Sequence, residues 1–340
     1  MTKKTLLIIN LTVMVVLSVL LSGCRENNAD VVQLADYDGK LIIYTAHKEE
    51  IYKPIIREFE ERSGIRVEIV SGGTNQMLEK IAEDNGSGAA DIMFGGGVDS
   101  LVAYEAYFEP YVTSQASNLD DTYASEINSY TVFSKLPTVF IYNTKLVIPA
   151  GAPRSWSQLL EYRWQDQIAF ADPGKSGSAY TALSMFLQQT MKDGYGRDEA
   201  INGYCKNLNH ELSDGSNTIV NDVARGDKMI GVVLEENALK GIAASADIEM
   251  IYPSDGTCAV PDGCAIVKGC RNRDNAEKFM EFIVCDDVQH LLEDQLYRRS
   301  VRTDFDSSEV PMEVPYDIVF SNENREKILK LFNEQMGVVQ

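Results

Sequence analysis

The chain has 340 residues, with 51 acidic side chains against 31 basic ones, a formal net charge of −20 at pH 7 and three histidines. Such acidity excludes a nucleic-acid partner, because phosphate contact draws on clustered Lys and Arg, but it leaves room for a small anion in a local pocket. The length exceeds what one ordinary core accommodates and predicts two domains.

Lys3 and Lys4 precede an apolar run from Leu6 to Leu21, which ends in Leu21-Ser22-Gly23-Cys24. A basic start, an apolar core and small residues before a cut describe an export signal over residues 1–23. The Cys after Ser-Gly matches a bacterial lipobox, so Cys24 is the expected lipidation site and the first mature residue. The run is short for a spanning helix, and two or three acyl chains suffice for stable anchoring. Residues 24–38 are polar and aperiodic and read as a tether. The chain is therefore expected outside the cytoplasm, held to the bacterial membrane by lipid.

Lys40 to Thr45 reads as a buried strand ending in the turn Ala46-His47-Lys48. Glu49 to Arg62 carries Ile51, Ile55, Ile56 and Phe59 at helical spacing and stops at Ser63-Gly64. Ile65 to Val70 alternates as a strand, and Ser71-Gly72-Gly73-Thr74 opens a helix through Met77, Leu78 and Ile81. Asp91 to Phe94 is a third strand, followed by Gly95-Gly96-Gly97. Strand, helix, strand, helix, strand within about 60 residues predicts parallel strands joined by crossover helices. In open α/β sheets ligands bind at the carboxyl ends of the strands.

The pattern recurs later. Gln167 to Asp172 reads as a strand leading through Pro173-Gly174-Lys175-Ser176-Gly177-Ser178 to a helix from about Ala179. Ser213-Asp214-Gly215-Ser216 precedes a helix stopped at Arg225-Gly226. Met229 to Val233 is a strand, and Leu234-Glu235-Glu236-Asn237 starts another helix. Ile248 to Tyr252 is a strand, Cys264 to Val267 returns the chain to the first domain, and helices follow at Ala276 to Val284 and about Glu323 to Met336. The expected fold is α/β and two-lobed, each lobe a mixed, mostly parallel sheet flanked by helices, with a hinge between them. Residues 39–130 with 264–305 form lobe 1; residues 131–263 with 306–340 form lobe 2.

Enzymatic chemistry finds no support. His47, His210 and His290 are scattered with no His-Glu-x-x-His pattern. Ser176-Gly177-Ser178-Ala179-Tyr180 lacks the final Gly of a nucleophile elbow, and the P-loop reading of Gly-Lys-Ser fails because its first Gly falls at Ala169. The spacing of Cys258, Cys264 and Cys270 is not a zinc pattern. No cofactor or metal is expected. Cys205, Cys258, Cys264, Cys270 and Cys285 leave at least one thiol unpaired, with the pairing of the rest open.

The segments Tyr44 to Glu50, Ala90 to Gly97, Phe170 to Ser178, Ala224 to Asp227, Leu234 to Leu239 and Tyr252 to Thr257 together resemble the extracellular solute-binding proteins of ATP-driven (ABC) importers, in the branch related to ferric-iron-binding proteins. The resemblance covers about residues 38–305. It implies a two-lobed fold, a small-molecule ligand in the cleft, and ABC permease and ATPase subunits as partners. Iron-binding members use a His after the first strand, an acidic residue after the third and adjacent Tyr residues in the second lobe. Here His47 holds the first position, but Gly95-Gly96-Gly97 and Leu234-Glu235-Glu236-Asn237 stand where the other donors belong.

The expected ligand is a small polar anion, a sugar phosphate or another organophosphate. Ser176, Gly177 and Ser178 open a helix whose first N–H groups suit an anion. Ser71, Gly72, Thr74, Gly95, Gly96 and Gly97 offer backbone N–H groups at adjacent strand ends. Asp214, Glu235 and Glu236 are candidates to accept from ligand hydroxyls, His47 to donate, and Thr138 stands near the crossover. Tyr44, Phe94 and Tyr180 are candidate walls. Ferric ion, thiamine or a polyamine stay open as ligands, as does a sensory role feeding a two-component kinase.

Overall fold

The computed structural model describes residues 39–305 and 310–337. The expected signal over residues 1–23, the expected lipidation site Cys24 and the expected tether lie outside the described residues. Among the described residues no helix is long and apolar enough to cross a membrane.

The first sheet begins with three parallel strands, β1 (Leu41–Thr45), β2 (Val67–Ser71) and β3 (Ile92–Gly97), in the order β2-β1-β3. Every residue of β1 is buried, which is why Leu-Ile-Ile-Tyr-Thr runs without polar alternation: helices cover both faces of such a strand. α1 (Glu49–Ser63) turns Ile51, Ile55, Ile56 and Phe59 onto this sheet, and Gly64 ends it in the left-handed conformation with its N–H on Glu60 O. α2 (Thr74–Asp84) crosses to β3 and buries Met77, Leu78 and Ile81. A five-residue helix, α3 (Val98–Val102), follows directly. β10 (Pro261–Val267) then pairs antiparallel with β3, β4 (Phe108–Glu109) and β5 (Thr131–Lys135). β5 and the start of β10 thus pair within the first sheet, so the chain changes sheets at Leu136-Pro137 and returns just before Pro261. α8 (Arg273–Ile283) and α9 (Asp286–Leu296) complete this core with Phe279, Ile283, Val288 and Leu292.

The second sheet has the order β7-β8-β6-β9, from β6 (Thr138–Asn143), β7 (Ile168–Ala169), β8 (Ile230–Leu234) and β9 (Ile248–Ile251). β7 and β8 are parallel; β6 runs antiparallel to β8 and β9. Around it lie α4 (Gly177–Lys192), α5 (Arg197–Leu208), α6 (Ser216–Arg225) and α7 (Glu235–Ala243). The last helix, α10 (Ile318–Met336), returns to this lobe, with the Phe332 ring 6.4 Å from that of Phe170. The five described cysteines, Cys205, Cys258, Cys264, Cys270 and Cys285, are all free thiols.

Candidate functional site

A cavity of about 390 Å³ opens where the strand ends of the two sheets face each other. Lys48, Gly73, Ser176, Gly215 and Leu234 all line it, and these are the N-cap residues of α1, α2, α4, α6 and α7. Five helices of nine residues or more therefore point their amino ends into one space. Each such end carries N–H groups without intrahelical partners and about half a unit of positive charge. At α4, Ser176 Oγ accepts the Ala179 N–H at 3.3 Å and lies 3.1 Å from Ser178 Oγ.

Side-chain charge along the cavity balances. Lys48, Lys175 and Arg298 face Asp214, Glu236 and Asp262. Arg298 is the centre of this wall: Nε lies 2.8 Å from Glu236 Oε2 and Nη1 2.7 Å from Asp262 Oδ2, all three side chains being buried. Nη1 also donates to Ser134 Oγ at 3.2 Å. Glu236 Oε1 accepts Lys240 Nζ at 2.6 Å. Burial pushes the Glu236 carboxyl up, yet Arg298 and Lys240 outweigh it and hold the group below the usual carboxylate range. At Asp262 burial wins over Arg298 and raises the pKa. One guanidinium therefore ties Glu236, from α7 on the second sheet, to Asp262, from β10 in the first.

His47 stands beside this wall, its Nδ1 3.8 Å from Asp262 Oδ2 and its ring edge-on to Phe94 and Phe133. Burial, and then the Arg298 charge, depress its pKa well below 6.5, so the imidazole is neutral at pH 7. Its Nε2 is buried without a partner among the described residues. Gly95, at φ +95°, makes this placement possible: a Cβ there would fall 2.4 Å from Nε2.

Of the expected site residues, His47, Thr74, Gly96, Gly97, Ser176, Gly177, Ser178, Asp214 and Glu236 line the cavity. Ser71, Gly72, Gly95, Thr138 and Glu235 do not. Gly72 donates its N–H to Thr45 O and serves the strand end; Gly95 accommodates His47 from behind. Thr138 is buried at the start of β6, beneath the crossover. Glu235 turns to Arg299, whose Nε and Nη2 lie 2.7 and 2.8 Å from its two carboxylate oxygens, and to the Tyr252 hydroxyl. Asp214 is not a cap, since the N-cap of α6 is Gly215. Tyr44, Phe94 and Tyr180 are core side chains rather than cavity walls. Arg298, Asp262, Lys48 and Asn237 are among the further lining residues, and none of them was anticipated as a site residue. Arg298 follows α9 and Asp262 sits in β10, both far from the Gly- and Ser-rich turns that drew the sequence reading. A basic pair, Arg298-Arg299, in an acidic stretch was the available signal.

Residues 89–330 match the family model described as bacterial extracellular solute-binding protein. Iron uptake protein A1 of Synechocystis is 23% identical over 304 residues, 84% of this chain and 83% of that protein. A putative 2-aminoethylphosphonate-binding periplasmic protein of Salmonella typhi is 22% identical over 267 residues, 74% of each chain. Among solved structures, the periplasmic binding protein AfuA of Actinobacillus pleuropneumoniae, with fructose-6-phosphate bound, superposes with a TM-score of 0.78 at 21% identity, over 89% of this chain and 100% of that one. That last likeness is one of fold: two lobes of the type II periplasmic-binding-protein kind. With its match spanning more than two thirds of its length, the chain belongs to the bacterial extracellular solute-binding protein family.

Proposed function

We propose that this protein captures a small polar organic anion, a sugar phosphate or related organophosphate, between its two lobes and delivers it to the permease and ATPase of an ABC importer, while Cys24 anchors it to the outer face of the membrane by lipid. One observation carries the choice of ligand: five helix amino ends converge on a cavity whose side-chain charges otherwise cancel. The dipoles therefore set the sign of the potential. Each end favours an anion by roughly 0.3–1 kcal/mol when exposed and up to ~2 when partly buried. The same cavity presents Asp214, Glu236 and Asp262 as acceptors, which suits hydroxyls on the ligand's other end. Its volume lies near the lower end of small-molecule sites.

Ferric ion is the weaker reading. Among the described residues no tyrosine lines the cavity, and Glu236 and Asp262 already share Arg298. Among the described residues no group of three His, Cys, Asp or Glu is arranged to hold a metal ion. Replacing Ser176 and Ser178 together by alanine tests the proposal. Titration calorimetry with fructose 6-phosphate should show affinity weakened about tenfold or more, the value of one hydrogen bond to a charged group. Unchanged affinity would remove the α4 turn from the anion site.

A further inference from the structure

Asp99, in α3, belongs to the first-sheet lobe and is 1% exposed. Its carboxylate curls back beneath the cavity wall: a Cβ on Gly97 would fall 2.5 Å from its Oδ1, which also accepts the Ser100 N–H at 2.9 Å. Oδ2 accepts the Thr181 hydroxyl at 2.7 Å, and the Tyr316 hydroxyl stands 3.5 Å away. Thr181 lies on α4 of the other lobe, one turn inside the helix whose first residues line the cavity, and it lines the cavity itself. The bond between Asp99 and Thr181 thus runs from lobe to lobe directly behind the proposed anion site.

Neighbouring contacts cross at the same place. Asn75 Nδ2 donates to Gly174 O at 3.2 Å, joining the first turn of α2 to the loop before α4. Arg325 of α10 donates to Asn75 Oδ1 at 3.2 Å while its guanidinium lies 4.0 Å over the Tyr180 ring. A Cβ on Gly177 would stand 3.3 Å from Thr74 Oγ1, so the two helix ends leave little room for a side chain between them. Hydrogen bonds fail beyond about 3.5 Å, so parting the lobes by even one water breaks the Asp99–Thr181 bond.

We propose that Asp99 is a positioning residue of the cleft: it touches no ligand, but its carboxylate latches the amino end of α4 against α3 and so holds the closed form. This rests on the solute-binding reading. A contact made only when the lobes are closed adds its free energy to closure, and apparent affinity follows the closed fraction. Loosening the latch therefore speeds the ligand's dissociation, and it speeds association only as far as it opens the ligand-free protein.

The experiment is a double-mutant cycle on Asp99→Asn and Thr181→Val, read by stopped-flow with fructose 6-phosphate and by small-angle scattering of ligand-free protein. Thr181→Val is expected to speed dissociation about tenfold without slowing association, as loss of a bond to a charged group implies, and Asp99→Asn, whose carboxamide oxygen still accepts the Thr181 hydroxyl, to speed it by less. The double variant should be no worse than Thr181→Val alone, and Thr181→Ser, which keeps the hydroxyl, should recover most of the loss. Additive effects, or Thr181→Ser as impaired as Thr181→Val, overturn the latch. If Asp99→Asn fails to fold, scattering of ligand-free Thr181→Val against Thr181→Ser decides, since no ligand contact can move it, and equal radii of gyration overturn the latch. If wild-type protein binds neither fructose 6-phosphate nor 2-aminoethylphosphonate, the organophosphate reading fails and scattering decides the latch: Thr181→Val must expand the ligand-free protein relative to Thr181→Ser, and equal radii of gyration overturn it.

Discussion

Replacing Arg298 by methionine isolates what the buried guanidinium does. Methionine keeps a long apolar stem, so the loss falls on charge: Glu236 Oε2 at 2.8 Å and Asp262 Oδ2 at 2.7 Å lose their cation together. Removing one partner of a buried ion pair costs about 3–5 kcal/mol. The lower part of that range applies, because Glu236 keeps Lys240 at 2.6 Å and Asp262, whose pKa burial already raises, shifts further towards its neutral form. At about 2.1 cal/mol/K per residue over about 300 residues, a loss of about 3–4 kcal/mol lowers Tm by about 5–6 °C. Calorimetry at pH 7 measures it, with Arg298→Met/Glu236→Gln/Asp262→Asn as the companion variant, in which carboxamides replace the stranded charges and recover about half the loss. The sign with pH is also fixed. Without Arg298, Asp262 binds a proton in the native state at a pH where the unfolded chain does not, so the deficit narrows as pH falls from 7 towards 5. A Tm within about 2 °C of wild type, or a triple variant no better than the single one, would refute the reasoning.

Gly95→Ala places a methyl group 2.4 Å from the unperturbed position of His47 Nε2 at a φ of +95°; denaturant unfolding should show a loss of at least about 2 kcal/mol from backbone strain and displaced imidazole. His47 has its native pKa depressed by burial and by Arg298, so below an unfolded value of about 6.5 the unfolded chain binds a proton that the native protein does not. Stability should therefore fall on acidification from about pH 6.5 towards 5, and His47→Asn should flatten that slope in urea melts; an unaltered slope would assign it elsewhere.

Much of the fold was legible because its signals are local. Ile51, Ile55, Ile56 and Phe59 recur at helical spacing and are among the residues α1 buries; Gly64 and Gly226 end helices where stops were expected, both in the left-handed conformation. The glycine- and serine-rich turns marked much of the cavity for the same reason, since a helix amino end needs small residues and hydroxyl caps. What stayed hidden depends on long-range placement. Val288, Leu292 and Leu296 give α9 an apolar stripe, but the surrounding acidic residues masked it, and with it the approach of Arg298 to the cleft. Glu235 and Glu236 stood side by side as candidates in sequence. Successive residues of one helix face different directions, and that geometry sends Glu235 to Arg299 and Glu236 to Arg298 and the cavity. Gly95 looked like its two neighbours; only the His47 ring behind it shows why it differs.

The sign of the cleft's preference can be measured directly by calorimetry on ligand-stripped protein, comparing fructose 6-phosphate and 2-aminoethylphosphonate with fructose and with ferric citrate. Convergent helix amino ends predict that a phosphorylated or phosphonate compound binds at least about a hundredfold tighter than fructose, roughly 2.8 kcal/mol, and that ferric ion gains nothing from the site. Equal affinity for fructose and its phosphate, or saturation by ferric citrate alone, would contradict it.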